Sequence, residues 1–403
     1  MGTVTAATAD SFTRAWVSVE RTGKISHALK NAWQDSPLYP ELIAESTEKR
    51  LGSISAQDLE TLMAQYPDSA AIANLRWKKL FRLGRANWHK DFLFLYRPTD
   101  SVELNCYKLE ARYRLKQAKD ADHREAVRLW THGKSQPKAC DTLFSLIQQR
   151  GLITKEVRLR RIDHALEKRQ LQLARWLAKP LDQSATKHIN AWAHARRQPA
   201  AFLTKQAAQF PEWVDMAASR LASRNPDRLL ELIKNREIPD AVREQAILGA
   251  ARTMAINLDP AAAPLLRMDL PSHPILNHWR VRYFIHFQEW ADVLTAISQL
   301  APEERNEIEW NYWASRALAM TGNSDLAFEG FRKVAESNSW YGFLAADYLG
   351  IAYNLAPKTK RPPETLIAKV NERTDVTVAR LLFEEGLTVM ARRQWDFVTG
   401  RLD

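Results

Sequence analysis

The stretch YWASRALAMTGNSDLAFEGFRKVAE, Tyr312 to Glu336, reads as a helix, a TGNSD turn and a second helix. Trp313, Ala317, Gly322, Ala327 and Phe331 carry the pairing: small residues let two antiparallel helices approach, and a large ring fills the groove between them. Downstream, SWYGFLAADYLG (Ser339 to Gly350) packs aromatics, an alanine pair and two glycines together. Trp340, Tyr341 and Phe343 are expected to wedge between helix pairs, with Gly342, Ala345 and Ala346 permitting close backbone approach, so that the segment is a joint. Upstream, HWRVRYFIHFQEWADVLTAISQL (His278 to Leu300) repeats Phe284, Phe287, Ala291, Leu294, Ile297 and Leu300 at three- and four-residue steps, as one or two helices. APEERNEIEW then supplies a turn and a helix start.

A hairpin of this kind cannot bury its faces alone, so hairpins must stack. The 14 tryptophans, spread from Trp16 to Trp395, are read as the large knobs of successive pairs. Thirteen glycines in 403 residues fall well below the usual share of about 7%, too few for a hairpin-rich sheet that needs glycine at positive-φ turns. The expected fold is all-α: a curved superhelical solenoid of stacked helical hairpins, tetratricopeptide-like.

Apolar residues make up 45% of the chain and charged residues 26%. No run approaches the roughly 18 apolar residues of a membrane span, so a soluble chain with no transmembrane segment is expected. Fifty-eight Lys and Arg against 47 Asp and Glu give a net charge of +11, which favours an anionic partner. The densest basic run, KEVRLRRIDHALEKRQLQLARW (Lys155 to Trp176), places Leu159, Ile162, Leu166, Leu173 and Leu177 near one helical stripe with arginines on the other side, which reads as a solvated helix face or, alternatively, as a basic surface for an acidic polymer. No zinc-finger spacing, RNP-like motif or basic-region heptad accompanies it, so nucleic acid is not the expected partner. HExxH, Walker, GxGxxG and GxSxG patterns are absent and the ten histidines show no ligand spacing; no cofactor, metal or catalytic residue is assigned.

LAPKTKRPPET, residues 355–365, holds three prolines and three basic residues and reads as a linker. The expected organisation is a helical domain over 10–354, the linker over 355–365 and the start of a new, truncated module over 366–403. MGTVTAATAD lacks a basic start and an apolar core, yet Ala7-Thr8-Ala9 before Asp10 fits an export cleavage site; residues 1–9 are read as a possible remnant of a signal peptide.

Taken in order, RVRYFIHFQEWADVLTAISQL, EWNYWASRALAMTGNSDLAFEGFRKVAE and SWYGFLAADYLG resemble the superhelical region of the soluble lytic murein transglycosylases. SPLYPELIAE (Ser36 to Glu45) and LWTHGKSQPKACDTLFSLIQQRG (Leu129 to Gly151) resemble further segments of that family. ARLLFEEGLTVMARRQWDFV (Ala379 to Val398) looks like the opening of its linker domain, with RRQW where the family usually has an Arg-x-Glu-Trp pattern.

The resemblance implies a periplasmic, cell-wall-directed protein whose partners are peptidoglycan glycan strands and, secondarily, other cell-wall enzymes. It also implies cleavage of the bond between N-acetylmuramic acid and N-acetylglucosamine to give 1,6-anhydro ends, by one Glu in a lysozyme-like domain. Nothing here matches the motif that carries that Glu. The Glu45-Ser46 and Glu336-Ser337 pairs lack all of its later elements, so the chain is expected to be the scaffold region and not itself catalytic. The alternative is a stand-alone non-catalytic α-solenoid that binds murein or partner proteins. The joint at 339–350 carries a second reading as a glycan contact, as do exposed tryptophans. Cys106 and Cys140 lie in the family-like region, the second within KSQPKACD, and are expected either to form one disulfide in an oxidising compartment or to be buried free thiols.

Overall fold

A computed structural model describes residues 9–355 and 361–400. Residues 1–8, where almost all of the leader reading falls, residues 356–360 of the linker, and residues 401–403 lie outside the described residues. Among the described residues every regular element is helical, from Ala9–Thr22 to Thr388–Thr399, and neighbouring helices pair as hairpins. The all-α class and the stacking of hairpins are therefore as the sequence reads. The chain forms two compact units, one of residues 1–173 with 361–403 and the other of residues 174–360.

The low glycine content has a structural explanation in the turns. Asn87, Lys116, Arg169, Arg236, Leu258 and Gln288 all take positive φ between 51° and 59°. Each ends a helix in the left-handed conformation usually given to glycine, at a cost of about 1 kcal/mol or more. The residue after each one donates back across the turn, as in Gln117 N to Arg112 O (2.8 Å), Glu237 N to Leu232 O (3.0 Å) and Glu289 N to Phe284 O (2.9 Å). These bonds satisfy carbonyls left open at helix ends, which is how ordinary side chains can hold a glycine-type position.

One such turn decides the 278–300 run. It is two helices, Pro274–His286 and Trp290–Ser298, divided at Gln288. The same mechanism corrects the reading of the basic run. Helix Lys155–Glu167 stops before Arg169, and a separate helix, Leu171–Ala178, follows. Nor are its arginines all solvated: Arg161 is 5% exposed and lies over the Trp130 ring at 4.5 Å, with Arg158 over the same ring at 5.6 Å. A helical wheel places Arg161 beside the leucine stripe without revealing that an indole waits there for its guanidinium.

In the second unit the core runs from Ala191 to Ala317. Ala217, Ala218, Ala246, Ala250 and Ala251 bring helices Val214–Arg224 and Asp240–Ile256 together, while Phe202, Tyr283 and Trp310 fill the wider gaps. A second cluster joins Tyr312, Ala327, Phe331, Ala345 and Ala346.

In the first unit, helices Ala56–Gln65, Ala70–Arg85 and His89–Leu95 share a core around Leu59, Ile72, Leu75 and Phe92. The C-terminal helices Thr374–Glu384 and Thr388–Thr399 do not stand apart from it. Val378, Leu382 and Ala391 pack with Phe12, Val19 and Leu42 of helices Ala9–Thr22 and Tyr39–Lys49 in one buried cluster. The 14 tryptophans divide: Trp130, Trp192 and Trp310 are buried, whereas Trp77, Trp88, Trp176, Trp340 and Trp395 are exposed and are not knobs between hairpins.

Candidate functional site

Helices Ile308–Met320, Ser324–Ala335 and Trp340–Leu349 build a candidate site in the second unit. The first two meet through Ala317 and Ala327, 0% and 1% exposed, and turn at Gly322, whose φ of +87° suits glycine. Phe331 is fully buried and Trp313 is packed against the cluster. Tyr312 ties the three helices together, its ring 5.7 Å from Phe331 and 5.5 Å from Tyr341.

Helix Trp340–Leu349 starts at Ser339, whose hydroxyl accepts from Gly342 N at 3.2 Å. It docks by backbone approach: a Cβ at Gly342 would lie 1.9 Å from Ser337 O and 3.2 Å from Val334 O. Ala345 and Ala346 are fully buried beside it. Gly342→Ala is therefore expected to force the 334–342 turn apart and to cost about 1–3 kcal/mol, read as a lower urea midpoint. A change within error would contradict this close approach.

The ring residues of this segment do not all act as wedges. Tyr341 does, against Tyr312; Phe343 is half-buried and lies 5.3 Å from Tyr353. Trp340 is 70% exposed. Residues 340, 343 and 347 share one face of the helix by their three- and four-residue spacing, and Tyr353 donates its hydroxyl to Asp347 at 2.6 Å. Together they present a row of exposed or half-exposed rings beside a carboxylate. Such a row matches the chemistry of a sugar ring: aromatic faces attract the C–H edges of a pyranose, and a fixed carboxylate accepts from its hydroxyls.

Cys106 and Cys140 are joined by a disulfide with Cα atoms 5.0 Å apart, linking helix Val102–Arg114 to the short 3-10 turn Lys138–Cys140. Both cysteines are fully buried.

Carboxylates are the other chemical candidates. Among the described residues no cluster of three or more His, Cys, Asp or Glu could hold a metal. Glu45 pairs with Lys49 at 3.6 Å on its own helix, and exposed Glu336 caps helix Ser324–Ala335. Glu41 is the most perturbed: burial pushes its carboxyl up to about 7, against the lowering effect of Arg393 at 2.9 Å. A value near neutrality suits a general acid. At 2% exposure, however, Glu41 has no groove in which to meet a substrate, so its role is in the fold.

No family profile matches the chain. It is 25% identical over 382 residues to the soluble lytic murein transglycosylase of Escherichia coli (strain K12), a match over 90% of this chain and 58% of that protein. The protein of the same name from Salmonella typhimurium is 24% identical over 381 residues, again over 58% of its length. Among solved structures, an inactive mutant of the lytic transglycosylase Slt from Pseudomonas aeruginosa superposes with a TM-score of 0.79 at 26% identity, covering 97% of this chain and 66% of that one. The 70-kDa soluble lytic transglycosylase in complex with bulgecin A superposes with a TM-score of 0.77 at 20% identity, over 96% and 64% of the two chains. The resemblance read from the motifs thus extends over nearly the whole chain, which spans 58% of the curated relatives it matches.

Proposed function

From this similarity to the soluble lytic murein transglycosylases we propose that the chain is the scaffold region of a periplasmic peptidoglycan-cleaving enzyme, holding glycan strands while a separate domain supplies the catalytic acid. The observation that supports this most is the continuity of the similarity: the family-like segments recur in order from Ser36 to Val398, and the fold match spans the same length. The net charge of +11 suits an anionic cell-wall polymer, and the row formed by Trp340, Phe343, Asp347 and Tyr353 suits its sugar rings. No helix among the described residues is long and apolar enough to cross a membrane. The Cys106–Cys140 disulfide suits an oxidising compartment.

Purified sacculi test the reading. Binding is expected to weaken by roughly tenfold between low and high salt, because the Debye length shrinks from about 10 Å at 0.1 M to about 3 Å at 1 M. Trp340→Ala is expected to weaken binding at every salt concentration without changing that slope. Mass spectrometry of the soluble fraction is expected to find no anhydromuropeptides above a buffer control. Salt-indifferent binding would remove the electrostatic part of the reading, and product release abolished by substituting one Glu of this chain would remove the non-catalytic part. Alkylation of denatured, unreduced protein purified from an oxidising compartment is expected to label neither cysteine; two labelled thiols would contradict export through such a compartment.

A further inference from the structure

The first unit contains an open groove of about 430 Å³ whose lining side chains include no acid. Its walls are basic: His123, Arg124 and Arg128 come from helix Asp120–Trp130, and Arg160 and His164 from helix Lys155–Glu167. Between them Val127 and Leu152 supply an apolar floor. Concave sites of about 300–1,000 Å³ that combine apolar lining with a few convergent polar groups are the usual form of a small-ligand site.

The charges of this groove are not all spent internally. Arg128 holds Glu125 through two bonds, Nε at 2.8 Å and Nη2 at 2.7 Å. Asp122, on the same helix, is held by Arg112 at 2.6 Å and Lys108 at 3.6 Å. Arg124 and Arg160 have no carboxylate partner among the described residues. His164 donates from Nδ1 to Thr131 O at 2.7 Å, which fixes the tautomer and leaves Nε2 as an acceptor.

Arg161 does not line the groove; its guanidinium packs on the rings of Trp130 and Phe144. Arg161, on the same helix, is nine-tenths buried, its Nε has no hydrogen-bond partner, and no described carboxylate neutralises it. Burial, with Arg158 alongside, lowers its pKa to about 10, so it remains charged at neutral pH. Within the groove itself, the guanidiniums of Arg124 and Arg160 are therefore the charges left to meet an anion.

We propose that the groove between helices Asp120–Trp130 and Lys155–Glu167 is a binding site for the free carboxylate of a short aliphatic peptide. Guanidinium forks at Arg124 and Arg160 match a carboxylate in plane and spacing. The Val127 and Leu152 floor takes small aliphatic side chains, which a bare inorganic anion would leave uncovered. The inference stands on the groove alone and does not depend on the peptidoglycan reading.

Isothermal titration of the full chain with N-acetyl-trialanine, its C-terminal amide and inorganic phosphate tests it. The free acid is expected to bind saturably, and the amide at least about tenfold more weakly. The Arg124→Gln, Arg160→Gln double variant is expected to lose binding of the acid while keeping its melting temperature, because both side chains are exposed. Proton resonances of the His164 ring should shift with the acid and not with the amide. Equal binding of acid and amide, or no saturable binding of either, would overturn the proposal. Undiminished binding by the folded double variant would overturn its location, and phosphate binding as tightly as the peptide would overturn the assignment to a peptide carboxylate.

Discussion

Gln394→Leu is expected to destabilise the first unit by about 5 kcal/mol, the largest effect of any single change considered. Gln394 is fully buried, and its amide serves three backbone groups. Oε1 accepts from Ala70 N at 2.8 Å; Nε2 donates to Asp68 O at 2.7 Å and to Asp375 O at 3.2 Å. Ala70 opens helix Ala70–Arg85, where the first N–H groups have no intrahelical partner, so the Gln394 amide acts as a cap delivered from the other end of the chain. Leucine fills about the same volume, leaving the loss of hydrogen bonding as the main effect. Each stranded buried group costs about 1–3 kcal/mol. Gln394→Glu is expected to cost a comparable amount: it keeps the acceptor for Ala70 N, but it buries a carboxylate and turns an acceptor oxygen toward the Asp68 and Asp375 carbonyls where the amide donated. Urea unfolding followed by helical circular dichroism reads both values. A Gln394→Leu loss below about 1 kcal/mol would mean that the amide does not hold this closure.

That closure shows where sequence reasoning reaches and where it stops. Helix existence was legible because the three- and four-residue steps of Phe284, Leu294 and Ile297 are local, and so was the hairpin turn at Gly322. Gly342, Ala345 and Ala346 were legible as a close-approach surface because small residues at helical spacing have few other uses. Helix ends were less so. Arg169 and Gln288 hold left-handed turns that carry no glycine or proline to announce them.

Partnerships across distant sequence left the weakest trace. RRQW stood out only as a departure from a family pattern, with nothing to say that Gln394 would cap a helix beginning at Ala70. Trp340 sits in the same motif as Tyr341, yet one ring faces solvent and the other faces Tyr312; one residue of helical rotation, 100°, separates the two outcomes. The groove lined by Arg124 and Arg160 needs two helices side by side, and neither helix alone distinguishes it from an ordinary basic surface.

Arg393→Ala is expected to cost about 4 kcal/mol at about pH 8 and much less at about pH 5. Arg393 Nη2 lies 2.9 Å from Glu41 Oε2, while Glu41 Oε1 is buried without a partner. Removing one member of a buried pair strands the other, at a cost of about 3–5 kcal/mol. The pH dependence follows from the carboxyl itself. Burial raises Glu41 from 4.5 to about 7 in the folded chain, even with Arg393 opposing. Between those values the folded state holds a proton that the unfolded state has released, so stability falls as pH rises. The contribution is fully favourable below the unfolded value, and the penalty is complete above about pH 7, where a shift of this size amounts to about 3 kcal/mol. Removing Arg393 takes away the opposing influence and moves the carboxyl further in the same direction, so the variant suffers most where the wild-type group is ionised. Glu41→Gln should flatten the profile and gain stability at about pH 8, since a neutral amide can still accept from Arg393. Unfolding free energies of the wild type and both variants across this range provide the check; parallel wild-type and Glu41→Gln curves would show that Glu41 does not titrate in the folded chain.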